Sequence, residues 1–514
     1  MTTQRTTSVL DHDGLVRRLH PRDDLIVREV AATAGADTPG DRGERRFTAT
    51  DGPFRSYERR VEWAPTTDGG VEVTESFDYR LAIPYWSVLY RPLARRALRD
   101  GIAPGRRPWW STPDRLGPEQ STVVATMALH NVVGGALFAV LTQVLTYASA
   151  DLGTGSSSEQ ATVFAVVRLG VLVTIAATAL ADRAGRRRIA VWSFLAAAAL
   201  TAATACAPSL LVLTVLQLVA RNLVVAGLLC VDTITIEELP AGSRAMASGL
   251  GAMAYGLGAG LVIMCLPVAG LATWTWRLVF LLALLTVPLL LHARQHLPES
   301  RRFERLDAAR REGVADEVAR GGRTRIGRFV LLAVMFFLVN AFVAPTSQLQ
   351  NDYMRTERAM SATMIAVLLI VTSTPGAIGI VVGGRWADTR GRRAAIVPGL
   401  LAVGIFNAMF FSFSGPPMWV ASLCGSMFGA LCVPALAVLS SELFPTARRG
   451  GVRGLLSAVG VGGSVVGLLV AGRLVDARGY GPTFTMLAVA PVVAGLLAFA
   501  VPETRGRELE DLNR

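Results

Sequence analysis

The chain has 514 residues, of which 52% are hydrophobic and 18% are charged, and its formal net charge is +12. Because an average soluble protein carries about 25% charged residues, this composition argues against a string of soluble domains. The net charge would suit nucleic-acid binding only if the 51 basic residues, all of them arginine, formed a basic soluble face. The five cysteines lie in apolar stretches without a Cys-x-x-Cys pair, so neither disulfides nor zinc sites are expected.

Residues 1–120 differ from the rest of the chain, because 19 arginines there nearly balance 18 acidic residues. Two stretches with alternating apolar and polar residues, 47–60 and 70–80, predict strands that are separated by a turn-rich segment. The next stretch, 86–99, has the pattern of a basic amphipathic helix. We therefore expect a small cytoplasmic α+β region at the N-terminal side of the chain.

This strand–strand–helix order resembles the C-terminal portion of the START-like, polyketide-cyclase-type fold. The resemblance implies an adaptor or regulatory domain, with a passive cytoplasmic cap as the alternative. The helix could instead lie on an anionic membrane surface, since one stretch of it carries Arg91, Arg95, Arg96 and Arg99. The sequence leaves these interpretations open.

Twelve long apolar runs follow from about residue 122. Most are long enough to cross a hydrocarbon core of about 30 Å as helices of about 20 residues, and they lack the alternation of ~10-residue segments expected of a membrane β-barrel. They predict an all-α membrane protein with twelve transmembrane helices. The predicted spans, numbered 1 to 12, are residues 122–147, 160–181, 189–207, 210–237, 245–268, 276–292, 328–347, 361–386, 394–413, 417–441, 452–472 and 482–501.

The distribution of arginine among the connecting loops predicts the orientation of the spans. Loops after even-numbered spans are rich in arginine, whereas loops after odd-numbered spans carry few. Because positively charged loops stay on the cytoplasmic side, we expect a multi-pass protein of the cytoplasmic (inner) membrane with both termini in the cytoplasm. The predicted regions are a cytoplasmic N-terminal region (1–120), a first six-helix bundle (121–292), a cytoplasmic linker (293–327), a second bundle (328–502) and a cytoplasmic tail (503–514).

The two predicted bundles contain the same motifs at nearly one spacing. The segment ADRAGRR at residues 181–187 recurs 206 positions later as ADTRGRR at residues 387–393. The segment PESR at residues 298–301 recurs 204 positions later as PETR at residues 502–505. Repetition at a fixed offset indicates repeated architecture, so the chain is predicted to consist of two pseudo-symmetric six-helix halves.

The twelve-span layout and these motifs resemble the major facilitator superfamily from the first span onwards. The segment 181–187 and its copy are similar to the family motif G-x-x-x-D-R-x-G-R-R; the copy begins with Gly384, whereas Thr178 stands at that position in the first half. The PES-R and PET-R-G segments look like those of the sugar-porter and metabolite–proton symporter branches. The resemblance implies a transporter that works by alternating access, and not an enzyme.

The resemblance also implies a gate at the cytoplasmic ends of the two bundles. A carboxylate there can pair with arginine or accept hydrogen bonds from the free amides of a helix N-terminus, and such contacts would break when that side opens. The alternative is that the arginines only set the topology of the spans. The implied gate residues are Asp182, Arg183, Gly185, Arg186, Glu238, Arg244, Asp388, Gly391, Arg392, Glu442 and Arg448.

Ionisable residues at membrane depth are candidate site residues, because each costs roughly 2.5–3.5 kcal/mol on insertion scales. Arg168 in span 2 and Arg221 in span 4 have no carboxylate near the middle of the membrane, so a transported carboxylate or phosphate would balance them. Alternatively, Arg168 bonds helix carbonyl groups or extends outward, and Arg221 pairs with Asp232, roughly 16 Å down the helix. The residues predicted to bind the solute are Arg168, Arg221, Asn222, Gln217, Asn340 and Gln348.

A proton-coupled mechanism requires a titratable group near the solute. Sugar porters pair their span-4 arginine with an acid in span 1, whereas span 1 of this chain contains neither Asp nor Glu. His130 in span 1 and Asp232 in span 4 are therefore the predicted proton-coupling residues, since histidine titrates near neutral pH. The alternative for His130 is a hydrogen-bonded packing role.

The sequence thus predicts a secondary active transporter that moves a small, anionic organic solute by alternating access and is driven by protons. The alternatives are a proton-driven drug or metabolite exporter of the same fold, and a membrane-tethered sensor that binds a ligand through its N-terminal region. No cofactor or metal is expected, because the sequence contains no metal-ligand cluster, phosphate loop or catalytic constellation. The expected partners are the solute, protons and the lipid bilayer, without nucleic acid, and the protein is expected to be a monomer.

Overall fold

The computed structural model describes two structural parts, a small antiparallel sheet and a bundle of twelve long helices. Most of the predicted linker and tail lies outside the described residues. The described residues are 2–32, 42–66, 70–100, 111–112, 114–240, 243–299, 326–443 and 449–503.

The sheet has five strands among the described residues, in the order β1-β5-β4-β3-β2, and all neighbouring strands are antiparallel. Two helices accompany it, and the sheet with these helices is called the sheet region below. Its elements are β1 (Thr2–Leu10), α1 (His12–Arg18), β2 (Arg28–Ala31), β3 (Gly43–Asp51), β4 (Phe54–Pro65), β5 (Val71–Leu81) and α2 (Ser87–Asp100).

The prediction of one strand over residues 47–60 is wrong, because the chain reverses between β3 and β4. Gly52 has φ +135°, and the Phe54 amide donates a hydrogen bond to the Gly52 carbonyl oxygen at 2.8 Å. Glycine adopts such a φ at little cost because it has no Cβ. The strand expected at 70–80 and the helix expected at 86–99 are present as β5 and α2, each displaced by one residue.

A buried ion-pair cluster crosses the covered face of the sheet. Arg59 is only 2% exposed and pairs with Glu29 at 2.9 Å and with Glu75 at 3.0 Å. The Tyr57 hydroxyl donates to the Glu29 carboxylate at 2.5 Å. Burial, together with this carboxylate, raises the pKa of Tyr57 well above its usual value. Arg59 therefore pairs with both buried carboxylates in the middle of the sheet, and Arg18 also pairs with Glu75 at 2.6 Å.

Replacing Arg59 by methionine is expected to destabilise the sheet region, because Glu29 and Glu75 would lose their shared cation. Removing one partner of a buried pair costs about 3–5 kcal/mol, so hydrogen exchange in β4 and β5 of the full-length protein should become much faster. The control is Arg60→Met, since Arg60 pairs with Glu44 where both side chains are accessible and such pairs contribute little. Equal exchange in the two variants would contradict this role of the cluster.

Twelve helices in the described part of the chain are long and apolar enough to cross a membrane, as predicted. Span 7 ends ten residues later than predicted, because the helix continues past residue 347 and ends in a short π-helical segment. The observed spans 1 to 12 are Pro118–Leu152, Ser157–Ala181, Arg186–Cys206, Leu210–Glu238, Met246–Ala269, Trp276–Ala293, Ile326–Glu357, Ala362–Ala387, Arg392–Ser412, Pro416–Ala437, Gly454–Arg478 and Tyr480–Ala500.

The two halves share a packing motif. A Cβ on Gly258 in span 5 would lie 1.9 Å from the Val132 carbonyl oxygen of span 1. In the second half, a Cβ on Gly463 in span 11 would lie 2.4 Å from the Phe337 carbonyl oxygen of span 7. Both residues of the second pair lie 205 positions after their counterparts. Small residues let the helix backbones touch at these points. The contact between spans 1 and 5 of the first half is therefore repeated between spans 7 and 11 of the second half.

The sheet region is attached to one end of the helix bundle. The Trp86 indole N–H donates to the Ala125 carbonyl oxygen of span 1 at 2.9 Å. The Tyr85 hydroxyl lies 3.1 Å from His296 Nδ1, just after span 6. We call this end of the bundle the sheet end and the opposite end the far end.

Candidate functional site

Arg221 lies inside the bundle and is 5% exposed. Its guanidinium carbon lies 3.8 Å from the centroid of the Phe138 ring, and its Nη2 donates to Thr142 Oγ1 at 3.0 Å. The Nε atom is buried without a hydrogen-bond partner among the described residues. Span 1 therefore orients the guanidinium plane and leaves part of its donor edge available, which suits the recognition of a planar carboxylate.

Arg168 is the second cation of this region. Its Nη1 donates to Ser464 Oγ of span 11 at 3.1 Å, so it connects the first half to the second. Arg168 and Arg221 lie close enough for their positive charges to oppose each other. Among the described residues no carboxylate acts on either arginine. The two arginines thus form a positively charged region between the halves.

Gln348 extends this region into span 7. Thr142 Oγ1, which accepts the hydrogen bond from Arg221, donates in turn to Gln348 Oε1 at 3.1 Å. Nearby, the Asn351 side-chain amide donates to Gln143 Oε1 at 2.9 Å. The structure therefore brings Arg168, Arg221 and Gln348 together at the contact between the halves, and we call these three residues with Thr142 the arginine network.

Three other predicted solute-binding residues lie in helix-packing contacts instead. The Asn222 amide donates to a carbonyl oxygen of span 2 at 3.0 Å, and the Asn340 amide donates to a carbonyl oxygen of its own helix at 2.9 Å. Gln217 donates to Thr204 Oγ1 at the end of span 3, at 2.9 Å. None of the described hydrogen bonds of these three residues reaches the arginine network, because each side-chain amide is taken up by a neighbouring helix or by its own helix.

The two predicted proton-coupling residues have different surroundings. His130 is fully buried; its Nδ1 lies 2.8 Å from the Thr126 carbonyl oxygen, and its ring packs against Phe194 of span 3. This arrangement matches the packing alternative for the histidine. Asp232 is exposed and lies beside Asn131 of span 1. Of the two side chains, Asp232 is therefore the accessible one.

The predicted gate residues of the first half make their described contacts inside that half. Arg186 forms an ion pair with Glu237, the neighbour of the predicted Glu238. The Arg244 Nε atom donates to a backbone carbonyl oxygen five residues earlier at 3.1 Å, and the Arg183 side chain is exposed. These described contacts do not join the two halves at the sheet end. The side chains of Asp182, Asp388 and Glu442, and the whole of Arg448, lie outside the described residues.

Glu299 and Glu503 have a function that the motif analysis missed, since each caps a helix N-terminus. Glu299 accepts a hydrogen bond from the first backbone amide of span 3 at 3.1 Å, and Glu503 accepts one from the first amide of span 9 at 2.8 Å. The residues just before these spans, Gly185 and Gly391, have φ +98° and +105°. A carboxylate is stabilised by the unpaired amides at a helix N-terminus, so the repeated motifs PESR and PETR have a shared structural role.

Carboxylates of the second half hold the first half at the far end. Asp352 is 1% exposed and accepts hydrogen bonds from Ser157 Oγ, at 2.6 Å, and from the Tyr480 hydroxyl. Asp476 accepts the backbone N–H groups of Ser157 and Ser158, at 3.1 Å each. The N-terminus of span 2 is thus bound by spans 7, 11 and 12. We call these five residues the far-end cluster.

No motif of the sequence predicts the far-end cluster. The predicted span 7 ends at residue 347, five residues before Asp352, so the apolar pattern gives no sign that Asp352 is buried. The serines before span 2 were a visible helix-capping signal. Their partners could not be assigned from this signal, because Asp352 lies 195 residues from Ser157 in the chain.

Comparisons with known proteins agree with this architecture. A family model described as Major Facilitator Superfamily matches residues 329–513. The chain is 25% identical over 400 residues to the Sialic acid transporter NanX of Escherichia coli (strain K12), which covers 76% of this chain and 96% of that protein. It is 24% identical over 332 residues to the Cis,cis-muconate transport protein of Acinetobacter baylyi, which covers 62% of this chain and 78% of that protein.

The fold is also similar to a solved structure. The inward-open conformation of the xylose transporter XylE from E. coli superimposes with a TM-score of 0.62 at 18% identity, over 76% of this chain and 99% of that chain. At 18% identity this likeness is evidence for the fold alone. The family match and the similarity to the two transport proteins are likenesses of sequence. Twelve spans, two related halves and these matches lead to one conclusion: the chain is a multi-pass membrane protein with the fold of a major facilitator superfamily transporter, and residues 329–513 match the model of that family.

Proposed function

We propose that the protein transports a small organic anion with a carboxylate group across the cytoplasmic membrane. The observation that carries this proposal is the pair Arg168 and Arg221, on which no carboxylate of the described residues acts. A buried charge without a partner is costly. A carboxylate solute bound at the arginine network would balance this charge, whereas a neutral sugar would leave it unbalanced.

The geometry of Arg221 supports binding of a carboxylate. The Phe138 ring covers one face of the guanidinium group, and Thr142 holds one of its nitrogen atoms. A carboxylate can accept two parallel hydrogen bonds from an arginine edge, and an arginine that is already oriented loses less entropy on binding. The names of NanX and of the muconate transport protein refer to organic acids, which supports the same class of solute.

We propose that the far-end cluster closes one end of the solute pathway in this structure. Its hydrogen bonds join the N-terminus of span 2, in the first half, to spans 7 and 11 of the second half. Alternating access would require the far-end cluster to break and the sheet end to close. We assign the sheet end to the cytoplasm, since the arginine-rich loops lie there. The gate residues implied by the family resemblance would form the closing contacts at that end.

Proton coupling is the second part of this proposal, with Asp232 as the residue that exchanges the proton. Asp232 is exposed, whereas His130 is fully buried and hydrogen-bonded within its own helix. Asp232 also lies on span 4, eleven residues after Arg221, which places both near one helical face. Protonation of this carboxylate could therefore be coupled to the occupancy of the arginine network through span 4.

Proteoliposomes that contain the purified protein are expected to exchange labelled organic acids, because only an anion balances the arginine network. The panel would include sialic acid and cis,cis-muconate, with xylose as a neutral control and a cationic drug as a control of opposite charge. An inward proton gradient should accelerate net uptake of the acid and should leave its counterflow exchange unchanged, since exchange moves no net protons.

Two results would contradict these proposals separately. Exchange of xylose or of the cationic drug, without exchange of any acid in the panel, would exclude the anion proposal. Net uptake of an acid that does not respond to the proton gradient would exclude proton coupling and would leave the solute class intact.

A further inference from the structure

A cavity of about 500 Å³ lies between the sheet region and the helix bundle, apart from the arginine network. Its walls are formed by the start of β1, by β4 and β5, by the segment after β5, by α2, and by the end of span 6. Cavities of roughly 300–1,000 Å³ accommodate small-molecule ligands. The cavity therefore has room for a ligand that would contact both the sheet region and the bundle.

The walls of this cavity are positively charged. Arg55, Arg80 and Arg91 line it from β4, β5 and α2, and all three are exposed. Within the described part of the chain, none of the three forms an ion pair, and the cavity lining contains no Asp or Glu. The end of span 6 adds His292 and His296 to the lining. Cations that converge without an acid create a potential that attracts an anion.

Tyr79 adds a buried hydroxyl to the same wall. Its side chain is fully buried and lines the cavity, and its hydroxyl makes no hydrogen bond of acceptable geometry with a described residue. Burial raises the pKa of the Tyr79 phenol, while the guanidinium groups of Arg95 and Arg91 oppose this shift. The phenol therefore keeps its proton. Because buried polar groups nearly always have a partner, this hydroxyl is suited to donate to an oxygen of a ligand.

Tyr85 lies at the rim of the cavity in a strained backbone conformation, and histidines at the end of span 6 hold its side chain in place. Tyr85 has φ +67°, a conformation that costs a non-glycine residue about 1–3 kcal/mol. Its hydroxyl lies 3.1 Å from His296 Nδ1, and its ring packs edge-on against His292 and His296 at centroid distances of 5.6 and 5.9 Å. These contacts stabilise the strained conformation, so this side of the cavity is formed without a ligand.

We propose that this cavity is a binding site for a phosphate group, with Arg55, Arg80 and Arg91 as its charge partners. A phosphate presents several acceptor oxygens, which suits three converging arginines and one phenol better than a single carboxylate does. The α2 residues Val88 and Leu89, next to the cavity, are 70% and 71% exposed. The phosphate therefore belongs either to the headgroup of an anionic lipid or to a soluble phosphorylated metabolite. In both cases the ligand would link the sheet region to span 6.

The test measures binding to the full-length protein in two arms. In detergent, AMP is titrated by isothermal titration calorimetry, with adenosine as the phosphate-free control. For the lipid arm, native mass spectrometry compares retention of phosphatidic acid with retention of phosphatidylcholine. Both arms use the double variant Arg55→Gln/Arg91→Gln. The matched control is Arg96→Gln, because Arg96 is exposed on the same helix and is not part of the lining.

We expect phosphate-dependent binding in one of the two arms. Binding of AMP would identify a soluble phosphorylated metabolite, and retention of phosphatidic acid would identify a lipid headgroup. Loss of two charged contacts should weaken this binding about ten-fold or more, whereas Arg96→Gln should leave it unchanged. The proposal is overturned if neither arm shows phosphate-dependent binding, or if Arg96→Gln weakens binding as much as the double variant does. Melting curves verify that each variant is folded. If the double variant melts at a lower temperature than the wild-type protein, Arg80→Gln replaces it and is compared with Arg96→Gln in both arms.

Discussion

Replacement of Arg221 by alanine is expected to weaken binding and uptake of the transported anion strongly while the protein stays folded. A hydrogen bond to a charged group contributes about 1.5–3 kcal/mol, so the affinity for the solute should fall roughly 10- to 150-fold. The melting temperature should not fall, because no described carboxylate would lose its partner. Arg221→Lys should give an intermediate affinity, since lysine keeps the charge but loses the planar donor edge and the stacking on Phe138.

The measurements for this prediction are the dissociation constant of the solute and the initial uptake rate in proteoliposomes. Arg473→Ala is the matched control, because Arg473 is an exposed arginine of span 11 outside the arginine network. Wild-type affinity in the Arg221→Ala variant would disprove a role of Arg221 in solute binding. An equal loss of uptake in Arg221→Ala and Arg473→Ala would show that the effect is not specific to the arginine network.

Replacement of Asp352 by alanine is expected to open the far end. Asp352 accepts a hydrogen bond from Ser157, which joins the two halves, and another from Tyr480 within the second half. A hydrogen bond to the carboxylate contributes about 1.5–3 kcal/mol, so losing the contact with Ser157 should shift the equilibrium between the closed and open far end by about ten-fold or more. The readout is hydrogen exchange of the Ser157 and Ser158 amides, which donate to Asp476 when this end is closed. Their exchange should become correspondingly faster.

Asp151→Ala is the matched control for this experiment. Asp151 lies at the same end of the bundle, but it contacts Trp276 at 3.0 Å and Arg277 at 3.5 Å, and all three residues belong to the first half. Its removal should leave the Ser157 and Ser158 amides protected. Unchanged exchange in Asp352→Ala, or equally fast exchange in both variants, would show that Asp352 does not hold the two halves together.

The membrane architecture could be predicted because hydropathy is a local property of the chain. Each span needs only its own run of apolar residues, and the two halves are visible as repeated segments such as 181–187 and 387–393. The ends of the spans were less predictable. Span 7 continues to Glu357, ten residues beyond its apolar run, because contacts with the other half stabilise polar residues there.

The candidate site could be predicted in part. Arg168 and Arg221 were identifiable because a charge at membrane depth is conspicuous in any apolar run. Asn222, Gln217 and Asn340 have the same polar character in the sequence, but whether an amide faces the arginine network or another helix depends on the rotation of the helices. Composition contains no information about that rotation.

Local sequence was thus sufficient for the class of protein, the number of spans, their repetition and the two cations at membrane depth, since each of these is encoded in a contiguous segment. The partner of Arg186, the far-end cluster and the cavity beside Tyr79 required the folded chain. Glu237 of span 4 pairs with Arg186 of span 3 because the rotation of the two helices brings them together. Asp352 meets Ser157 across 195 residues, and the cavity is formed where β5 approaches the end of span 6. Such contacts result from packing between distant segments, which no single segment specifies.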